Sequence, residues 1–301
     1  MRTLPGCIPC LVQMAITTAK MGGAKDPELL EAARAAARVL SEADFRRPAP
    51  YFSEPILKRV YAIIQNPDPF LKAKSDSNKI GARLADELAR PFVNAGNSDK
   101  DRVLRGIRAA IAGNVADYAV DPELGGSEEG KIRSAFQLEF SVNDFEAFYE
   151  KLLRSKNILF LCDNAGEVAF DRVLIEEFSR LGKKTVVAVK SGPALNDALM
   201  ADALEVGLDK SPSVSLIATG QSRMGIDLES AGPEFQSAWA GSELVLAKGQ
   251  ANFESLAGVN GKIFFLTLVK CKALEAALGL KKGGAVFMAG KTFNEQFGFI
   301  D

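Results

Sequence analysis

The sequence predicts an α/β protein, a three-layer α/β/α sandwich around a mostly parallel sheet, preceded by an all-helical domain. Three observations carry this. Residues 1 to about 150 place apolar side chains at three and four spacing, the period of helices with one buried face. From Ile158 onward, short β-rich runs alternate with loops or helical stretches, the grammar of a doubly wound sheet. Polar residues able to do chemistry cluster directly after those runs, where open α/β sheets place their ligands. The expected domains are 1–150, helical, and 151–301, α/β.

Cys10 to Met21, Pro27 to Leu40 and Glu54 to Ile64 read as the first helices, with Asp26-Pro27 as a cap followed by proline at the first helical position. A longer helical pattern runs from about Pro69 to Phe92, and another from Asp99 to Ala116. Residues 119 to 140 contain Gly125-Gly126 and several acids and read as a surface connection. Ser141-Val-Asn-Asp144 then offers capping residues ahead of Phe145, Phe148 and Leu152. The expected strands are Ile158 to Leu161, Thr185 to Val189, Val214 to Ala218, Leu244 to Ala247, Ile263 to Leu268 and Ala285 to Met288.

Composition narrows the chemistry. The 301 residues contain no histidine, which excludes Ser-His-Asp and Cys-His nucleophile systems and imidazole-bound zinc. Any metal must then be held by oxygen ligands or by the four cysteines, and oxygen favours hard cations such as magnesium or manganese. Thirty-seven basic against thirty-eight acidic residues leave a net charge of -1, so neither nucleic acid nor a membrane surface is an expected partner. No window approaches the ~20 apolar residues of a transmembrane helix, and four cysteines do not suggest a disulfide framework. A reducing, cytoplasmic setting is expected.

Five stretches follow expected strands: Asp163-Asn164-Ala-Gly166-Glu167, Lys190 to Asp197, Thr219-Gly220, Lys248-Gly249-Gln-Ala-Asn252 and Lys270-Cys271. Carboxylate and amide oxygens with two lysines on one sheet edge suit a metal-bound phosphate. Together with Cys7-x-x-Cys10 and Gly113-Asn114-x-x-Asp117, this series resembles the damage-control phosphatase family, also known as the domain-of-unknown-function 89 family, in its prokaryotic branch. The resemblance implies hydrolysis of small phosphorylated metabolites, such as sugar phosphates or damaged phosphate esters, with one divalent metal (Mn, Mg, Co or Ni). By position, Asp163, Asn164 and Asp197 match metal ligands, with Asp163 and Asp197 the catalytic carboxylates. Glu167, Lys248, Gly249, Asn252 and Lys270 match residues around the substrate phosphate. Two positions depart from the family pattern: Arg223-Met-Gly225-Ile226-Asp227 replaces a Pro-Gly-Thr-Asp-like turn, and Lys272 stands where proline is common.

Read without the resemblance, Asp163-Asn164 and Asn196-Asp197 also suit helix caps and turns, and Glu167 and Asp171, four apart, either set one carboxylate towards the site or both suit the N-terminal dipole of a helix. Cys7 and Cys10 fit a soft-metal or redox pair, or buried apolar thiols of a helix. Asn78 and Asn114 fit either the cleft or satisfied core amides. Two rival functions stay open: an S-adenosylmethionine-dependent methyltransferase, against which stands the missing Gly-x-Gly-x-x-Gly series, and a non-catalytic metal or phosphometabolite-binding protein.

Overall fold

The computed structural model describes residues 1–115, 128–259 and 261–297. Asp117, part of the family-like series, lies outside them. The chain opens with α1 (Cys7–Met21), α2 (Asp26–Ser41), α3 (Ser53–Ile64), α4 (Leu71–Leu84), α5 (Arg90–Asn94), α6 (Asp99–Val115) and α7 (Glu128–Ala135). Then come β1 (Phe140–Asn143), α8 (Phe145–Arg154), β2 (Asn157–Leu161), α9 (Glu167–Arg180), β3 (Lys184–Val189), α10 (Met200–Glu205) and β4 (Val214–Ala218). The chain continues through α11 (Pro233–Gly241), β5 (Leu244–Lys248), α12 (Gln250–Leu256), β6 (Ile263–Leu268), α13 (Lys272–Leu278), β7 (Ala285–Ala289) and α14 (Gly290–Gln296).

The seven strands form one sheet in the order β1-β7-β6-β5-β2-β3-β4. Strands β4, β3, β2, β5 and β6 are parallel, β7 runs antiparallel to β6, and β1 is parallel to β7. The α/β expectation is borne out, and all six expected strands form. The seventh, β1, corrects the reading of Ser141 to Asn143 as capping sequence. Asn143 Oδ1 accepts from the Phe145 N–H at the start of α8 at 3.2 Å, but Phe140 to Asn143 also pair with Ala285 to Phe287. The sheet therefore begins before residue 150.

Alternation divides the sheet into two buried faces. Ile158, Phe160, Leu244, Leu246, Phe264 and Leu266 share a core with α6, α8 and α9, while Leu159, Leu161, Val245, Ala247, Ile263 and Phe265 share one with α11 to α14. Period-two side-chain alternation puts successive strand residues on opposite faces, so strands this apolar need cover on both. The helical half splits as well. Leu11, Ala15, Ala32, Ala36, Ile56 and Val60 give α1 to α3 a core of their own, whereas Val103, Ile107 and Ile111 of α6 belong to the sheet's core.

The long helical pattern from Pro69 to Phe92 is realised as α4, a π-helical stretch over Ala85–Ala89, and α5. Pro91 brings no N–H and a ring that an ordinary helix would press against the carbonyl four residues earlier; the widened turn falls at that place. Helix α4 approaches the start of α9 closely: a Cβ on Gly81 would land on the Gly166 backbone. Asn78 exploits that contact. Its Oδ1 accepts from the Gly166 N–H at 2.7 Å, and its Nδ2 donates to Asp202 and Glu205 at 2.8 and 2.7 Å. No helix among the described residues is long and apolar enough to cross a membrane.

Candidate active site

After β2 the chain turns out to β3 and β4, then crosses back to place β5 on the other side of β2. Such a switch point opens a crevice at the carboxyl ends of the strands. The loops after β2 and β3 are laced together across it. The Ala198 N–H donates to the Asp163 carbonyl at 2.8 Å and the Ala165 N–H to the Asn196 carbonyl at 2.9 Å, with Asn164 and Asp197 joined in an isolated antiparallel bridge. Asp163, Asn164, Asn196 and Asp197 thus form one patch, each under a tenth exposed. They floor a cleft of about 1130 Å³ that Lys270 also lines, walled by the start of α1, by Ala49-Pro50 and by α13.

A second layer holds these groups in place. Asn114 reaches in from α6, its Nδ2 donating to Glu167 Oε2 at 2.7 Å and to Asp163 Oδ2 at 3.2 Å. Lys190 Nζ donates to the Gly225 carbonyl at 2.7 Å and stands 3.6 Å from Asp197 Oδ2. Asn252 Nδ2 donates to the Cys162 and Lys248 carbonyls at 3.1 and 2.8 Å, tying the end of β2 to the end of β5. Gly249, at φ +82°, lets the backbone pass directly against Asp163: a Cβ there would fall on that carboxylate. Gly249→Ala is therefore expected to fold with reduced stability and to lose most of any turnover through displacement of Asp163. Comparing phosphate release with circular dichroism would check this, and a fully active, equally stable variant would refute it.

Lys248 departs from its expected place at the phosphate. Its ammonium is wholly buried and donates to Glu167 Oε1 and Asp171 Oδ1, both at 2.5 Å, and to the Ala110 carbonyl at 3.1 Å. It does not line the cleft, nor do Glu167, Gly249 and Asn252. From sequence, Glu167 and Asp171 suit a helix dipole or set one of the pair towards the site, and Lys190 carries no assigned role. One signal for the carboxylate pair was available: two carboxylates four apart on one face of a buried helix require a buried cation.

Electrostatics follow from this crowding. Asp163 is pushed well above the ordinary carboxylate range by burial, then by the charges of Glu167 and Asp197, against which Lys270 and Lys248 act. Asp171 is pushed up to about 7, chiefly by burial, with Lys248 opposing and Glu167 adding to the rise. Burial would lower Lys248, yet Asp171 and Glu167 outweigh it and hold its pKa above the ordinary lysine value. One ammonium faces two carboxylates, so a proton is retained longer than in the unfolded chain. Asp171's contribution to stability is thus fully present below the unfolded value of ~4 and declines as pH rises from there towards about 7. Asp171→Asn is expected to flatten the profile of Tm against pH in that window; an unchanged slope would remove Asp171 as its source.

A divalent metal fits the floor. Asp163, Asn164 and Asp197 offer hard oxygen donors, and a cation would offset the burial and the carboxylate repulsion that together raise Asp163. The Oδ1 of Asn114, whose amide already contacts Asp163, is buried with no hydrogen-bond partner among the described residues. Among the described residues, no three His, Cys, Asp or Glu side chains make a metal-holding group by themselves; amide, carbonyl or water oxygens would complete the set. Cys7, Cys10 and Cys271 are free thiols on the cleft wall, while Cys162 is buried beneath Asp163. The Arg223 to Asp227 loop is docked onto the helices, the Met224 N–H donating to Ser53 Oγ at 3.0 Å and Arg223 to Glu54 at 3.1 Å. Lys272 is the first residue of α13, a position that proline also suits.

The family model for the damage-control phosphatase ARMT1-like domain matches residues 3–286. A damage-control phosphatase of Pyrococcus horikoshii is 33% identical over 240 residues, covering 78% of this chain and 79% of that protein. One of Archaeoglobus fulgidus is 29% identical over 290 residues, covering 95% and 98%. The fold matches the crystal structure of a domain-of-unknown-function 89 family protein from Pyrococcus horikoshii with a TM-score of 0.84 at 29% identity, over 96% of this chain and 99% of that one. The resemblance carried by the strand-end motifs is borne out, and the chain belongs to the damage-control phosphatase ARMT1-like domain family.

Proposed function

We propose that this chain is a metal-dependent phosphatase of small phosphorylated metabolites. The observation that carries the reading is the convergence of Asp163, Asn164 and Asp197 with Lys270 in the lining of one cleft, in a member of a phosphatase family. Asp163, Asn164 and Asp197 would hold the divalent ion, which would supply charge stabilisation at the phosphoryl oxygens. Lys270 adds positive charge beside the phosphoryl group. Asn114 fixes Asp163 by an amide hydrogen bond, and Lys190 orients Asp197. Lys248 locks Glu167 and Asp171, which keeps Glu167 against Asn114. Asp163 and Asp197 are the carboxylates nearest the reacting centre, and Lys248, Gly249 and Asn252 serve them as supports.

The methyl-transfer reading gains no support from the loop after β2, which presents Asp163 and Asn164 rather than a glycine-lined approach to a nucleotide. The test is phosphate release from p-nitrophenyl phosphate and a panel of sugar phosphates, using metal-stripped protein with Mg²⁺, Mn²⁺, Co²⁺ or Ni²⁺ restored. Turnover that appears with metal and vanishes with a chelator is expected. Turnover indifferent to chelator, or S-adenosylmethionine binding without hydrolysis, would overturn the proposal.

A further inference from the structure

The cleft is larger and less polar than a phosphate requires. Its 1130 Å³ exceeds the roughly 300–1,000 Å³ of ordinary small-molecule sites. Its buried polar side chains are Asp163, Asn164, Asn196 and Asp197, while Lys270, Lys272 and Lys282 are exposed. Much of the remaining wall is apolar: Leu11 and Met14 from α1, Met224 from the docked loop, and Ala276 and Ala277 from α13. Gln250 and Glu254 interrupt that lining, but they hydrogen-bond each other at 2.6 Å, and Cys7, Cys10 and Cys271 pack as small, weakly polar groups.

Leu195 sharpens this picture. It lines the cleft one residue before Asn196-Asp197 and holds φ at +55°, one of two non-glycine residues with positive φ among those described. A left-handed backbone is costly for a leucine, and asparagine or glycine would adopt it more easily. Such outliers persist where the surroundings over-determine them, and they gather at ligand sites. Here the strained backbone sets an aliphatic side chain beside the candidate metal-holding loop.

We propose that the substrate is an amphipathic phosphate monoester whose phosphate lies at Asp163 and Asp197 and whose apolar chain runs between α1 and α13, with Leu195 as a specificity-determining residue. The inference rests on the phosphatase reading and adds the substrate class to it. Burial of successive methylenes in such a cleft raises kcat/KM by roughly twofold or more each, until the walls are filled. A short polyol phosphate gains nothing comparable from Leu11, Met14 and Ala276.

The test is kcat/KM for ethyl, butyl, hexyl and octyl phosphate beside glucose 6-phosphate, on full-length metal-loaded protein and on Leu195→Asn. Values should rise along the alkyl series, with octyl above glucose 6-phosphate. Leu195→Asn, which suits the left-handed backbone, should lower the octyl-to-ethyl ratio severalfold, whereas a merely structural disturbance would scale both substrates alike. Hydrolysis with a flat or falling alkyl series, or an unchanged ratio in the variant, would overturn the inference and leave the phosphatase reading standing. No hydrolysis of any ester with any metal would overturn both.

Discussion

Asp163→Asn is expected to abolish metal-dependent phosphate release while leaving the metal-free protein at least as stable as before. The two effects have one cause. Burial and the charges of Glu167 and Asp197 disfavour an ionised Asp163 in the metal-free chain, so a neutral isostere removes repulsion. The same charge is needed to hold a divalent cation, and the loss should exceed the roughly 10–100-fold cost of deleting a partner behind a metal ligand. Activity and thermal denaturation on one preparation would read both. A variant that is active, or inactive merely because it unfolds, would show that Asp163 does not hold the metal.

Lys248→Met is expected to cost about 3–5 kcal/mol of stability, the range for removing one partner of a buried ion pair. Glu167 and Asp171 would then face each other without a cation, both essentially excluded from solvent. Urea unfolding of the metal-free protein measures the effect. The Lys248→Met, Glu167→Gln, Asp171→Leu combination should recover much of the loss, because replacing a whole buried ionic group by packed neutral residues is often near neutral. A single-variant loss under about 1 kcal/mol, within reach of an exposed ion pair, would contradict the buried triad.

The strands of the parallel core were legible because apolar runs such as Ile158 to Leu161 and Ile263 to Leu268 need no partner information to be recognised. Strand β1 was not. It is four residues long, its register with β7 shifts after Phe140, and its Ser141 and Asn143 carry little β preference. Asp163, Asn164, Asp197 and Lys270 could be gathered from sequence because parallel strands send their carboxyl ends to one edge. The place of Lys248 could not be read that way. Its partners Asp171, Glu167 and the Ala110 carbonyl lie 77, 81 and 138 residues away in sequence, and a lysine at a strand end looks solvated until α6 and α9 close over it. Leu195 was equally hidden, since a left-handed leucine carries no sequence signature.

Asp163, Asn164 and Asp197 together are expected to hold one divalent ion. Equilibrium binding of Mn²⁺ to metal-stripped protein, followed by the electron paramagnetic resonance signal of free Mn²⁺, measures this. One ion per chain is expected in the wild type, with affinity lost in Asp163→Asn and Asp197→Asn and retained in Glu254→Gln. Unchanged Mn²⁺ affinity in both aspartate variants would place the ion elsewhere and contradict that expectation.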